Sequence, residues 1–267
     1  MNIYEAAVVE FARLGGTLAR AAFQAERKME AQEKAGHFDI VTQTDRQVEM
    51  AIIESIEKRF PHSRILGEEG GMRGEGELLW IIDPIDGTSN FASGLPIFAT
   101  TLRVEDRSGP LAAATYDPMR DELFSLAGDT LRCNGTPWRW DDQPLAPAHG
   151  ELLTNAPYEG TPLAGVELER FSRSLGRFRA VRRLGSCALH VAYVAAGRAA
   201  ACYEYSFHPW DIAAGLAFAQ ASGCRFFGAD RQGRLVDDPV RDPLNVARIL
   251  VSAPGLRLDP ADYGIGP

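Results

Sequence analysis

Two carboxylates stand at the end of a short apolar run, directly before a turn rich in small polar residues. Asp83 and Asp86 follow the run 78–82 and precede the segment Gly87-Thr88-Ser89. The run is short, bounded and partly β-branched, which predicts a buried strand that delivers Asp83 to its carboxyl edge. Because Pro84 has no N–H to give to a strand ladder, we expect the strand to end there and the two acids to converge.

The ligand chemistry of this segment points to a hard metal ion. The Ile85 carbonyl lies between the two acids, so the segment offers three oxygen ligands, and such ligands favour Mg²⁺ over zinc. Taken alone, Asp83-Pro84 and Asp86-Gly87 are more often ordinary turn dipeptides. The metal hypothesis therefore depends on acids elsewhere in the chain.

Two other segments supply such acids. A second short apolar run ends in Glu68 and Glu69, which are held between glycines, and Trp210-Asp211 begins a segment of helical composition. An Asp at the start of a helix is usually only its N-cap, so Asp211 alone would not indicate a metal site.

Together these motifs resemble the inositol monophosphatase family of Mg²⁺-dependent, lithium-sensitive phosphatases. The resemblance covers about residues 30 to 225, with several separate motifs in the family's order. They are Asp39-Ile40-Val41-Thr42-Gln43-Thr44-Asp45, Gly67-Glu68-Glu69, Asp83-Pro84-Ile85-Asp86-Gly87-Thr88, Gly185-Ser186, Glu204 and Trp210-Asp211. The resemblance implies an α+β fold layered α-β-α-β-α, of the inositol monophosphatase and fructose-1,6-bisphosphatase type, and a homodimer.

The resemblance also implies a set of metal ligands, with two or three Mg²⁺ ions per active site. Glu68, Asp83 and the Ile85 carbonyl would hold one ion. Asp83, Asp86 and Asp211 would hold a second, so that Asp83 bridges the pair. A third, weaker ion would lie near Glu68 with mostly water ligands.

The catalytic roles are carried over from the family in the same way. Asp45 and Thr88 would deprotonate the attacking water, with Glu69 nearby. Asp86 and the backbone N–H groups of Gly87 and Thr88 would contact the phosphate, because such N–H groups bind anions at a helix start. Without the other motifs, Thr44-Asp45 could equally be a routine helix start.

The alcohol that leaves would lie near Gly185, Ser186, Glu204 and Asp211, whose hydrogen bonds would select hydroxyl-rich substrates. Glu204 has an alternative interpretation as an exposed acid at a strand end. We expect a small phosphorylated polyol as substrate, with inositol 1-phosphate first. Histidinol phosphate is the main rival, because Glu204 could pair with its amine, and fructose 1,6-bisphosphate follows. A hypothesis of another class is a regulatory binding protein on the same scaffold.

The composition of the chain excludes some classes of binding partner and some kinds of site. The 267-residue chain has a formal net charge of −8 and no basic run, which argues against nonspecific nucleic-acid binding. The four cysteines are far apart and lack a C-x-x-C pair, so we expect reduced thiols rather than a zinc site. The N-terminus has no basic-then-apolar signal and the chain has no membrane-length apolar stretch, which predicts a cytoplasmic location.

The spacing of apolar residues predicts both helices and strands in the first half of the chain. A helix is expected over 2–30 with a weak point at Gly15-Gly16, and a second helix would be capped by Thr44 and Gln47 and stopped at Pro61. Antiparallel strands are expected over 98–105, 111–116 and 122–127. The connection 70–77, rich in glycine, is expected to be mobile.

From about residue 150 the pattern alternates strand and helix, which predicts an α/β half. The helices are expected over 166–175, 187–197 and 211–222, and the strands over 179–184, 200–205 and 248–252. The stretch 137–165 contains five prolines and is the expected seam. We therefore divide the chain into an N-terminal α+β half, 1–145, with most metal ligands, and a C-terminal half, 146–267, with the substrate-side residues and Asp211.

Overall fold

The fold contains two compact units that each mix helices with strands. A computed structural model describes residues 2–25, 31–36, 39–141, 143–158 and 165–266. The units are Met1–Pro137 and Trp138–Pro267, and the division expected at 145/146 falls inside the second. The mixture of elements confirms the α+β class. Across the described ranges, no helix has the length and apolar character needed to cross a bilayer.

The N-terminal unit is built on one large sheet. In chain order its elements are α1 (Ile3–Ala25), β1 (Ala31–Gly36), β2 (Asp39–Thr42), α2 (Gln43–Arg59), β3 (Ser63–Gly67), β4 (Gly71–Gly74), β5 (Leu78–Asp86), α3 (Thr88–Ser93), β6 (Ala99–Asp106), β7 (Gly109–Asp117), β8 (Glu122–Ala127), β9 (Thr130–Cys133) and β10 (Thr136–Trp138). The sheet order is β10-β9-β8-β7-β6-β5-β3-β4, and β1 and β2 form a separate antiparallel pair.

Strand direction in this sheet follows the length of the connections. The pairs from β5 through β9 are antiparallel, which confirms the three predicted strands β6, β7 and β8. β3 and β5 form a parallel pair, which the longer connection through β4 allows. Helices α1 and α2 contact each other and pack on the sheet through a core that includes Phe11, Ile52 and Trp80.

Two predictions about where regular structure stops are wrong: the end of a strand at Pro84 and a mobile connection over 70–77. β5 does not end at Pro84 but continues to Asp86, because its pairing with β6 shifts register between Asp83 and Asp86. Thr100 Oγ1 donates a hydrogen bond of 2.8 Å to the Pro84 carbonyl at this irregularity. The connection 70–77, expected to be mobile, contains β4, which forms a hairpin with β3.

Gly15 and Gly16 lie inside an unbroken helix instead of weakening it. The predicted helix therefore holds from Ile3 to Ala25, and residues 26–30 lie outside the described ranges. A Cβ atom on Gly15 would lie 2.8 Å from Thr100 Cγ2, and one on Gly16 would lie 2.4 Å from Tyr116 Cδ1. The two glycines therefore allow α1 to approach the sheet closely.

We expect Gly16→Ala to destabilise the protein. Because the added methyl group would lie 2.4 Å from Tyr116 Cδ1, we expect a cost of about 3 kcal/mol, the upper end of the overpacking range, which exceeds the gain of about 1 kcal/mol in helix propensity. Gly176→Ala is the matched control, because Gly176 is helical and exposed and has no atom within 4 Å of an added Cβ. Chemical denaturation measures both free energies of unfolding. A stabilised Gly16→Ala would contradict the packing argument.

The C-terminal unit is a smaller mixed sheet with three helices. Its elements are β11 (Glu151–Leu153), α4 (Gly165–Arg177), β12 (Ala180–Arg182), α5 (Cys187–Ala195), β13 (Ala201–Glu204), α6 (Pro209–Ser222), β14 (Arg225–Ala229) and β15 (Arg248–Ser252). The sheet order is β12-β11-β13-β15-β14. The six predicted elements are present, whereas β11 and β14 were missed. β11 falls in the stretch taken as a seam, where prolines on both sides of a three-residue strand obscured it.

Candidate active site

Strand register places acids from two motifs at one edge of the large sheet. β3 and β5 run parallel, and Gly67 pairs with Ile82. Glu68 and Asp83 are the next residues on the two strands, so Glu68 leaves β3 beside Asp83, which is still paired with β6. Paired strands lie about 4.8 Å apart, which keeps these two residues adjacent.

The register shift in β5 brings a third acid to this edge. A carboxylate oxygen of Asp83 and one of Asp86 lie within 4.8 Å of each other, and the two residues are only 1% and 7% exposed. Asp83 Oδ1 also accepts a hydrogen bond of 3.0 Å from the Ile85 N–H. Two buried carboxylates at this separation repel each other, and a divalent cation would relieve the repulsion.

Asp45 lies in the first turn of α2, as predicted, but its capping partner is Thr42. The Thr42 N–H donates to Asp45 Oδ2 at 2.9 Å, and the Thr42 hydroxyl donates to the same oxygen. The box expected from Thr44 and Gln47 is wrong, because the helix already begins at Gln43. The spacing Thr42-x-x-Asp45 was a usable signal in the sequence.

Thr88 lies between Asp45 and the edge of the sheet that carries Asp83 and Asp86. Its Oγ1 lies 3.1 Å from Asp45 Oδ1 and 3.0 Å from the Ile85 carbonyl oxygen, and either oxygen can accept its proton. Burial raises the pKa of Asp45 above its ordinary value, and the nearby charge of Glu69 also raises it. The hydrogen bonds from Thr42 and Thr88 oppose this shift. A carboxylate with a raised pKa is a better proton acceptor.

Glu49 fixes the turn that carries Glu68 and Glu69. Its two carboxylate oxygens accept the N–H groups of Glu69, at 2.8 Å, and Gly70, at 2.7 Å. Gly67 makes room for this carboxylate, since a Cβ there would lie 2.7 Å from Glu49 Cδ. Glu68 and Glu69 themselves are half-buried. Glu49 was not predicted as a site residue, because a helical Glu without a motif has no distinguishing signal.

We expect Glu49→Ala to lower the free energy of unfolding by about 2 kcal/mol, because two backbone N–H groups lose a charged acceptor. Glu54→Ala is the control, since Glu54 is exposed on the same helix, and a surface change of this kind stays within about 0.5 kcal/mol. Denaturant titration of both variants measures the difference. Equal stability of the two variants would mean that Glu49 does not anchor the turn.

The Gly87-Thr88 segment begins the short helix α3. Gly87 is the N-cap with φ of 97°, a conformation that side chains rarely adopt. The first N–H groups of a helix have no acceptor within it, so those of this turn can point to a ligand. Thr88 is therefore placed both to contact an anion through its backbone and to reach Asp45 through its hydroxyl.

In the C-terminal unit, Asp211 occupies the first turn of α6. The His208 N–H donates to Asp211 Oδ2 at 2.7 Å, and the rings of His208 and Trp210 stack at 4.7 Å. His208 also lines a groove of about 860 Å³, together with residues from the segments 230–238 and 241–247. Asp211 is therefore not the N-cap but the third residue of α6, where its carboxylate accepts the N–H of the N-cap residue His208, and it is half-buried.

Glu204 is at the end of β13 and is fully buried, so its interpretation as an exposed acid is wrong. Its carboxylate accepts hydrogen bonds from the Asn155 N–H, at 3.1 Å, and from the Tyr158 hydroxyl. Its Oε1 also lies 2.5 Å from His190 Nδ1. Gly185 and Ser186 precede α5, where Ser186 Oγ caps the helix by accepting the Leu189 N–H. None of the three partners of Glu204 was predicted from the sequence.

The four cysteines are free thiols, as expected. Cys133 is half-buried, and the other three are buried. Burial raises the pKa of the Cys224 thiol to about 12. Such thiols are structural rather than reactive.

Comparison with known proteins shows the family to which the chain belongs. The sequence profile of the inositol monophosphatase family matches residues 2–257. Nus factor SuhB of Escherichia coli strain K12 is 35% identical over 219 residues, which cover 80% of this chain and 81% of the relative.

Two solved structures share the fold. The suhB protein of Bartonella henselae has a TM-score of 0.83 and 27% identity and covers 95% of both chains. A structure described as an IMPase/NADP phosphatase complexed with Mg²⁺ and phosphate has a TM-score of 0.74 and 25% identity, with 90% of this chain and 87% of that chain covered.

The α+β fold, the acids at the ends of β3 and β5, and these similarities define a phosphatase class whose site could hold a metal ion. The chain belongs to the inositol monophosphatase family. This confirms the resemblance on which the sequence analysis depended.

Proposed function

We propose that this protein is a Mg²⁺-dependent phosphomonoesterase that hydrolyses a small phosphorylated polyol, with inositol 1-phosphate as the first candidate. The observation that carries the proposal is the buried pair Asp83 and Asp86, with carboxylate oxygens within 4.8 Å at the edge where Glu68 also lies. An anionic substrate would be repelled by such a pocket unless cations neutralise it. Hydrolysis of a phosphate monoester therefore requires the metal here.

The donors fit magnesium, because all are carboxylate or carbonyl oxygens. We assign one ion to Glu68, Asp83 and the Ile85 carbonyl, and a second to Asp83, Asp86 and Asp211. A third would lie near Glu68. When bound, these ions supply charge that neutralises phosphoryl oxygens and lowers the pKa of a coordinated water.

Thr88 and Asp45 would handle the proton of the attacking water. The Thr88 hydroxyl accepts a hydrogen bond from that water and donates its own proton to Asp45 Oδ1, 3.1 Å away. The raised pKa of Asp45 suits it to accept a proton. Glu69 is assigned a supporting role, because its charge raises the Asp45 pKa further.

The phosphate would contact Asp86 and the N–H groups of Gly87 and Thr88. The left-handed backbone at Gly87 supports this assignment, because it presents consecutive N–H groups without a side chain in the way. The alcohol would contact Gly185, Ser186 and Asp211, and the buried Glu204 would support these contacts through Asn155, which holds the Gly185 N–H. These contacts select a polyol through hydroxyl groups instead of a base or a long chain.

Two rivals deserve separate tests. Histidinol phosphate would need an acid for its amine, and Glu204, which is fully buried and satisfied by three internal donors, is less suited to that role than the sequence suggested. A regulatory role is favoured by one observation, that a 35% identical relative is named a Nus factor.

The family also implies a homodimer and inhibition by lithium. Light scattering tests the homodimer, and phosphate release in the presence of LiCl tests the inhibition.

A substrate panel at fixed Mg²⁺ tests the proposal. Phosphate release from inositol 1-phosphate, histidinol phosphate and fructose 1,6-bisphosphate is measured with and without the metal. We expect Mg²⁺-dependent turnover with the highest kcat/KM for inositol 1-phosphate. Preference for another phosphate would correct the substrate. No turnover of any of them would favour the regulatory role.

A further inference from the structure

A buried histidine of the C-terminal unit links the two parts of the proposed alcohol site. His190 lies in α5 and is fully buried, as is Glu204 at the end of β13. His190 Nδ1 and Glu204 Oε1 are 2.5 Å apart. The mechanism proposed above uses Glu204 but gives no role to His190.

The second nitrogen of the imidazole fixes the tautomer. The Leu184 N–H donates to His190 Nε2 at 3.2 Å. A backbone N–H can only donate, so Nε2 must be the unprotonated acceptor. The ring proton of neutral His190 is therefore on Nδ1, where it is donated to the Glu204 carboxylate.

The loop 184–186 is held from two directions by the same network. His190 accepts the Leu184 N–H, and the Asn155 side-chain oxygen accepts the Gly185 N–H at 3.0 Å. The Asn155 N–H in turn donates to both oxygens of Glu204 at 3.1 Å. Glu204 thus anchors both His190 and Asn155, and these two residues hold consecutive N–H groups of the loop.

We infer that His190 is a positioning residue for recognition of the leaving group. Through its Nδ1–H tautomer it sets the Gly185-Ser186 loop in register with Glu204, so that the substrate's hydroxyl groups meet a fixed set of partners. The inference rests on the proposed function. It assigns His190 no contact with the reacting atoms, so the effect of replacing it falls on substrates that carry hydroxyl groups.

Three substitutions separate the two hydrogen bonds of the ring. His190→Asn places an amide near the position of Nδ1 and keeps the donor to Glu204 while losing the acceptor for Leu184. His190→Gln reaches the position of Nε2 and keeps the acceptor for Leu184 while losing the donor. His190→Ala removes both.

The kinetic test compares inositol 1-phosphate with p-nitrophenyl phosphate, which has no hydroxyl groups beyond its phosphate. For His190→Ala we expect KM for inositol 1-phosphate to rise roughly ten-fold, the equivalent of losing one charge-assisted hydrogen bond. The kcat/KM for p-nitrophenyl phosphate should stay within about two-fold, and the Asn and Gln variants should lie between wild type and Ala. Equal losses on both substrates in all three variants would overturn the inference, since a purely structural role predicts that result.

Nitrogen NMR of ¹⁵N-histidine-labelled protein with Mg²⁺ tests the tautomer without turnover. We expect a protonated Nδ1 and an unprotonated Nε2 for His190, assigned by the absence of its signals in His190→Gln. A protonated Nε2 at neutral pH would overturn the inference. If wild type hydrolyses neither phosphate, the proposed function fails, and the nitrogen shifts still decide the arrangement around His190.

Discussion

Asp86→Asn is expected to abolish Mg²⁺-dependent phosphate release while leaving the fold intact. The substitution keeps the size of the side chain but removes the charge of a carboxylate that we assign to a metal and to the phosphate. Metal stabilisation of the transition state amounts to several kcal/mol, so kcat/KM should fall on the order of 10³-fold or more. Phosphate release from inositol 1-phosphate at saturating Mg²⁺ measures the loss.

The stability of this variant distinguishes a ligand from a structural residue. Without Mg²⁺, Asp86→Asn should melt no lower than wild type, because it relieves the repulsion from buried Asp83. Asp129→Asn is the control, since Asp129 is exposed on the turn between β8 and β9, and it should retain full activity. Undiminished activity of Asp86→Asn would show that the metal assignment is wrong.

The second large effect is expected at the pair Asp45 and Thr88. Asp45→Asn can still accept the Thr42 N–H but cannot accept a proton, and Thr88→Val removes the hydroxyl that reaches Asp45. Loss of a general base typically costs about 10²–10⁴-fold in rate. Both variants should lose kcat to this extent with little change in KM, as measured by steady-state kinetics.

The double variant tests whether the two residues act in series. If Thr88 passes the proton to Asp45, losing either breaks the same path, so the combined loss should be about as large as the larger single loss. Multiplicative losses would show that the residues act independently. Unchanged kcat in Asp45→Asn would remove Asp45 from the proposed chemistry altogether.

Local patterns predicted most elements of the fold, because the elements follow short-range periodicity. The strands β6, β7 and β8 and the helices of the C-terminal unit alternate or repeat strongly enough to be found in one sequence. Where prediction was wrong, tertiary contacts overrode a local rule. Pro84 lies within a strand because the register shift removes the need for its N–H, and Gly15 and Gly16 let α1 pack closely against Thr100 and Tyr116.

The candidate site also combines residues that local sequence patterns reveal with residues that only tertiary contacts bring together. Asp83 and Asp86 belong to one contiguous segment whose spacing suggested converging ligands, but the metal hypothesis also needed the acids of the other motifs, and the role of Thr88 came from the family resemblance. Glu49 and His190 could not be found this way, because their partners are 20 and 14 residues away and only the packed structure brings them together. The Thr42 cap of Asp45 is an intermediate case, since its spacing was visible but Thr44 offered a competing start.

Calorimetric titration of Mg²⁺ in the presence of inorganic phosphate tests the central claim most directly. Wild type is predicted to bind two or three ions per chain, and Asp211→Asn to bind one fewer or to bind the second far more weakly. Circular dichroism confirms that both proteins are folded. Wild type that binds no Mg²⁺ at millimolar concentration, or Asp211→Asn that binds it as wild type does, would contradict the account.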